Sequence, residues 1–135
     1  MKTHSAMPVL QVSDLMASVD FYNRLGFATN GIWGEPEAFA ILQRGSVSLA
    51  LQLLKAEKMP VNTHWAAYIY VDDAKAVHKE FKAAGIEIAR PPEETFYGCL
   101  DFDVADLDGH LLAFGQDLEP QPHGPGQGAE KGNGQ

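Results

Sequence analysis

Cysteine is nearly absent from this chain of 135 residues: Cys99 stands alone. No intrachain disulfide can form, and CxxC or four-cysteine zinc sites are excluded. Long apolar runs are also missing. No stretch of about 18 uninterrupted apolar residues occurs, so no transmembrane helix is expected. Residues Met1 to Asp14 lack the apolar run and small-residue cleavage site of a signal peptide. These features favour a cytoplasmic address. Positive charge is scarce: 10 Lys and Arg stand against 18 Asp and Glu, a formal net charge of −8. Such a surface repels phosphate backbones and anionic headgroups. Nucleic acids and membranes are therefore poor partners, and cationic small molecules are better ones. The same charge also serves solubility. Catalytic signatures are lacking as well. There is no GxSxG, no phosphate-binding loop, no glycine-rich dinucleotide fingerprint, and no HxH, HxxxH or HExxH spacing.

What is present divides the chain in two. From Glu119 the sequence reads EPQPHGPGQGAEKGNGQ, with five glycines, three prolines and one typical core residue, Ala129. It cannot bury enough surface to offset its ordering entropy, so residues 119–135 are expected to be a disordered tail. Residues 1–118 are expected to form a single domain.

That domain contains an internal repeat. With an offset of 59 residues, Val12-Ser13-Asp14 lies over Val71-Asp72-Asp73, Ala17 over Ala76, Tyr22 over Phe81 and Gly26 over Gly85. Each copy says the same thing physically. A strand ends in Val, a polar pair caps a helix of about three turns, and a glycine closes it. Strands are expected at 8–12, 27–33, 39–43 and 47–53 in the first copy, and at 65–71, 87–89, 99–104 and 110–115 in the second. Asp106-Leu107-Asp108-Gly109 reads as the last hairpin turn. The fold class is α+β: βαβββ twice, in modules of about residues 6–54 and 64–118, with the helices on one side of the sheet.

Period two then assigns faces. Leu10, Val12, Leu49, Leu51, Ile69, Phe102, Val104, Leu112 and Phe114 form a core face, covered by Val19, Tyr22, Leu25, Val77 and Phe81. The opposite face carries Met7, Ala50, Gln52, Ala66, Tyr68, Tyr70, Asp101, Asp103 and Ala113. Small, aromatic and acidic side chains together suit the wall of a cavity. They equally suit the solvated outer face of a sheet.

These motifs resemble the vicinal-oxygen-chelate superfamily, which unites glyoxalases, bleomycin resistance proteins and dioxygenases. The resemblance spans about residues 6 to 118. Its carriers are Val12-Ser13-Asp14-Leu15, Asp20-Phe21-Tyr22, Leu25-Gly26-Phe27, Val71-Asp72-Asp73, Ala84-Gly85 and Asp106-Leu107-Asp108-Gly109. Bleomycin resistance proteins are the most similar branch, through Ala6-Met7-Pro8-Val9-Leu10, Pro60-Val61-Asn62-Thr63, Tyr97-Gly98 and Asp101-Phe102. The resemblance implies two modules paired into a cupped mixed sheet. It also implies a homodimer with a ligand groove at its interface, and a proline such as Pro8 accompanies exchange of the first strand between subunits.

Metal-dependent members place a ligand on each of four cavity-facing strands. The matching positions here are Met7, Ala50, Ala66 and Ala113. Three alanines and a thioether offer nothing to a hard or borderline cation, so no metal and no other cofactor is expected. His64, two residues before Ala66, is the one histidine placed to rebuild a site; His78 reads as surface and His110 adjoins a turn. Cys99 reads as a structural thiol. The resulting expectation is a metal-independent protein that binds and sequesters a bleomycin-type antibiotic, cationic with flat aromatic rings. No catalytic residue is assigned. Trp33, Phe39, Tyr68, Tyr70 and Tyr97 supply stacking surface, and Asp101 and Asp103 attract positive charge. The alternative is a cofactor-independent or atypical enzyme of the same fold, a lyase or dioxygenase-like protein acting on an unknown small molecule, with Asp101 and Asp103 as acid and base.

Overall fold

The structure, a computed structural model, describes residues 1–119. Most of the expected tail, residues 120–135, lies outside the described residues. The chain divides into two compact units. One comprises Met1–Ala66 together with Asp106–Leu111, and the other comprises Ala67–Ala105 with the residues from Leu112 on.

The element order is β1 (Val9–Val12), α1 (Leu15–Arg24), β2 (Ala28–Trp33), β3 (Phe39–Arg44), β4 (Val47–Leu53), β5 (Trp65–Tyr70), α2 (Ala74–Ala83), β6 (Arg90–Glu94), β7 (Cys99–Ala105) and β8 (Leu111–Asp117). The repeat governs the topology. One sheet has the order β1-β4-β3-β2 and the other β5-β8-β7-β6, the same arrangement in each βαβββ copy. In the first sheet β1 runs parallel to β4, with Val9 beside Ala50 and Gln11 beside Gln52. The β2–β3 and β3–β4 pairs are antiparallel.

Local chemistry explains why both helices start and stop where they do. Asp14 and Asp73 are extended N-caps whose carboxylates accept from the N–H of Ala17 and Ala76. Each cap satisfies one of the orphan donors of a first turn. At the other end Gly26 and Gly85 take φ of 87° and 80°. The N–H of Phe27 reaches the carbonyl of Tyr22, and that of Ile86 reaches Phe81. These are the six-to-one bonds of a left-handed helix stop, a conformation that glycine adopts without strain.

α1 packs on β2, β3 and β4, and α2 on β6 and β7. In the first unit Val12, Tyr22, Leu25, Leu42, Leu49 and Leu51 are fully buried. In the second, the Phe102 and Phe114 rings stack at 5.6 Å. Phe81 meets them edge-on, at 5.9 and 5.0 Å. Burying each such ring contributes about 1.5–3 kcal/mol, before contacts specific to ring pairs. His78, expected at the surface, is half-buried, with its ring 5.3 Å from Phe102.

The Asp106–Gly109 turn belongs to the first unit and ties it together. Asp106 Oδ1 accepts from the N–H groups of Asp108 and His110, while Oδ2 accepts from the hydroxyl of buried Tyr22 at 2.7 Å. Asp108 holds Ser13 through its N–H and hydroxyl. His110 is buried, with Nε2 2.7 Å from the Gln11 carbonyl oxygen. Gly109 supplies the required φ of 91°.

One expected strand is misplaced. The short strand at 87–89 is instead β6, Arg90–Glu94, and it includes Pro91 and Pro92. β6 is an edge strand, where prolines that lack an N–H are tolerated. Its pairing with β7 shifts register between Arg90 and Glu93.

Candidate functional site

In the second unit, β7 and β8 alternate cleanly between faces. Cys99, Asp101 and Asp103 share one face, as do Ala113, Gly115 and Asp117; Phe102, Val104, Leu112 and Phe114 occupy the helix side. Tyr68 and Tyr70 on β5 join the acidic face, their rings 5.0 Å apart. Tyr97 stands 6.4 Å from Tyr68 in an edge-on arrangement. Five of the seven expected ligand residues thus belong to one unit.

Asp101 is the hub of this face. It is fully buried, and its Oδ2 accepts from the Tyr68 hydroxyl at 2.8 Å and from the Tyr97 hydroxyl. Its other oxygen is paired with Arg90. The same guanidinium grips Asp103 through two nitrogens, at 2.9 and 3.0 Å, and reaches Glu93 at 2.6 Å. Strand pairing makes this possible, because Arg90 lies directly opposite Asp103. Asp101 and Asp103 are therefore not bare carboxylates aimed at solvent. Three carboxylates, Asp101, Asp103 and Glu93, share one guanidinium, which leaves a net of two negative charges.

The protonation states follow from this network. Burial pushes the Asp101 carboxyl up, but hydrogen bonds from Tyr97, Arg90 and Tyr68 outweigh it and hold the group below its ordinary value. Burial, reinforced by the Asp101 hydrogen bond, pushes the Tyr97 hydroxyl up to about 12. Burial raises the Tyr68 hydroxyl as well, and its hydrogen bonds to Cys99 and then Asp101 add to the effect. Arg90 is held above its usual value, chiefly by its hydrogen bond to Asp103. Around neutral pH Asp101 is therefore ionised, the Tyr68 and Tyr97 phenols are neutral and Arg90 is cationic.

Tyr68 reaches Asp101 across an intervening strand. Since β8 lies between β5 and β7, the phenol must span two strand spacings of about 4.8 Å each. Gly115 on β8 leaves the path open: a Cβ there would lie 2.0 Å from the Tyr68 hydroxyl oxygen. Arg90 and Gly115 were missed by sequence reasoning. A lone arginine before Pro91-Pro92, facing an Asp-Phe-Asp strand, was the available signal for the first. Beside Cys99, the thiol lies 3.4 Å from Asp117 Oδ1. Burial raises its pKa, as suits an unreactive structural cysteine.

The remaining two expected residues belong to the first unit. Trp33 is 51% exposed, and its ring lies 6.1 Å from that of Phe39. It folds back over Gly31, where a Cβ would meet the indole at 2.3 Å. The same unit holds a groove of about 520 Å³ along β1, lined by residues including Val9, Gln11, Gln52, Val61, Asn62 and His110.

The donor set does not fit the superfamily's metal. At the four matching positions Ala50 and Ala113 are fully buried, Ala66 is half-buried and Met7 is 37% exposed. None carries a nitrogen or oxygen ligand. Exposed His64 packs its ring 4.4 Å from Trp65. Among the described residues no three His, Cys, Asp or Glu side chains gather where they could hold a metal ion.

Comparison with solved structures gives a consistent picture. The bleomycin resistance determinant encoded on transposon Tn5 is 27% identical, with a TM-score of 0.70 over 85% of this chain and 98% of that one. The bleomycin-binding protein of bleomycin-producing Streptomyces verticillus, solved with copper(II)-bleomycin, is also 27% identical, with a TM-score of 0.68 over 84% and 96%. A glyoxalase-related enzyme from Clostridium phytofermentans shares the fold, with a TM-score of 0.72 at 15% identity, over 87% and 97%. No curated protein matches. The model of the glyoxalase/bleomycin resistance protein/dioxygenase superfamily matches residues 4–114, and this chain belongs to that superfamily.

Proposed function

We propose that this protein binds and sequesters a cationic, aromatic small molecule of the bleomycin type, without a metal of its own. The observation that carries this reading is the face built on β5, β7 and β8. There the rings of Tyr68, Tyr70 and Tyr97 stand together beside Asp101, a carboxylate that stays ionised. Aromatic surface above net negative charge suits a flat cation. The likeness to bleomycin-binding proteins at 25% and 27% identity supports the same ligand class. Trp33 and Phe39 add stacking surface on the first unit. A cytoplasmic address is part of the proposal, since the single thiol needs no oxidising compartment.

The site's protonation argues against the enzymatic alternative. A carboxylate held below its usual pKa is a poor base, and phenols pushed above theirs are poor acids near neutral pH. Asp101 is also occupied by three donors at once.

The test is calorimetric titration with a metal-free bleomycin at two ionic strengths. Saturable binding by the wild type is expected. Tyr70→Ala should weaken it threefold to tenfold, since losing one stacked ring removes about 0.5–1.5 kcal/mol. Asp101→Asn should weaken it most at low salt, where screening is least. A wild type with no saturable binding overturns the reading.

A further inference from the structure

Asp101 and Asp103 are engaged by Arg90, Tyr68 and Tyr97, so neither presents an open oxygen to a ligand cation. One carboxylate on the same face is different. Asp117, at the end of β8, shares its face with Gly115 and Ala113. Its Oδ1 accepts from the Cys99 thiol, while its Oδ2 is buried and has no hydrogen-bond partner. Among the described residues, it is the one buried side-chain oxygen or nitrogen left in that state. Leaving a carboxylate oxygen unpaired away from water is unfavourable, and a cation that docks there removes the penalty.

The neighbourhood suits an aromatic cation. Tyr70 lies close enough to Asp117 to feel its charge, and the Tyr70 ring continues into that of Tyr68 at 5.0 Å. Asp117 as a residue is half-buried, so part of its surface faces solvent although Oδ2 itself is covered.

We propose that Asp117 Oδ2, beside the rings of Tyr70 and Tyr68, is the site that receives the positively charged amine or guanidine group of the ligand. This inference rests on the sequestration reading for the identity of the ligand, but not for the existence of a cation site. Asp117 then fixes orientation: the charge docks at the end of β8 and the flat portion lies over the tyrosines. Asp101 and Asp103 act at a distance, through net charge.

Two probes separate the inference from the reading beneath it. The first is metal-free bleomycin, titrated into wild type, Asp117→Asn and Glu119→Gln at low and high salt. The Glu119→Gln variant removes the same charge from a nearby exposed carboxylate. Asp117→Asn is expected to weaken binding about tenfold at low salt, and Glu119→Gln less than twofold. The second probe is tryptamine against uncharged 3-methylindole, followed by chemical-shift perturbation. Wild type should prefer tryptamine, and Asp117→Asn should lose the preference. If bleomycin fails to bind but that preference holds, the cation site stands and the sequestration reading falls. If bleomycin binds and Asp117→Asn matches wild type, the sequestration reading stands and the assignment of Asp117 is overturned. A wild type with no preference for tryptamine also overturns the assignment. Far-ultraviolet circular dichroism guards against misfolding: Asp117→Asn should give the same spectrum as wild type.

Discussion

Tyr68, Gly115 and Asp101 show how one small residue can decide the chemistry of a face. Gly115 is not at a positive φ, so backbone freedom is not why it is glycine. It is glycine because the Tyr68 phenol occupies the space that a Cβ would fill, 2.0 Å away. Gly115→Ala should therefore push Tyr68 off Asp101 and leave a buried carboxylate short of one donor. The expected loss is about 1–3 kcal/mol in urea denaturation, the range for an overpacked site or an unsatisfied buried group. A double-mutant cycle identifies the cause. In a Tyr68→Ala background the phenol is gone, and Gly115→Ala should be nearly neutral. Equal destabilisation in both backgrounds would show that Gly115 acts through something other than Tyr68.

At the scale of elements, the repeat was legible and the edge strand was not. The 59-residue offset places Asp14 on Asp73 and Gly26 on Gly85, and both pairs perform the same capping duties. Capping is chemistry that a sequence displays openly, because few residues can do it. Removing either cap, as Asp14→Ala or Asp73→Ala, should cost about 1 kcal/mol of unfolding free energy, with loss of helical circular dichroism on heating. An unchanged midpoint would mean that tertiary packing alone holds the first turn. β6 was illegible for the converse reason. Pro91 and Pro92 argue against a strand unless it lies at an edge, and edge position is a property of the sheet. The consequence reached the site. With the strand placed at 87–89, Arg90 had no partner; with β6 at Arg90–Glu94, it stands opposite Asp103 and within reach of Asp101. Alternation correctly put Asp101 and Asp103 on one face with Tyr68 and Tyr70. The cation between the two carboxylates needed a register that no periodicity contains. Asp117 escaped for a related reason, since the unpaired state of one oxygen is visible only when every neighbour is in place.

At the scale of the whole molecule, the sheet edges carry the argument for assembly. Each sheet has two outer strands, β1 and β2 in the first, β5 and β6 in the second. Such edges are protected or partnered, because free N–H and C=O groups recruit other strands. β6 protects itself with Pro91 and Pro92. The β2 edge breaks its own ladder by a register shift between Thr29 and Ile32, but it closes on apolar surface. Ile32 is 36% exposed and Trp33 51%, and half-buried Phe39 lies against the indole. A single exposed apolar residue is ordinary, but a contiguous group with a tryptophan at its centre is the composition of an interface. We therefore expect a homodimer that covers Trp33, consistent with a ligand groove that uses Trp33 and Phe39 from one copy. Light scattering at micromolar concentration should give about twice the chain mass, and Trp33→Glu should reduce it to one chain while far-ultraviolet circular dichroism stays the same. A monomeric wild type would remove the dimer and the shared groove together. A dimer that survives Trp33→Glu would keep the assembly but move its interface off β2, and Trp33 would then be open to act on ligand alone.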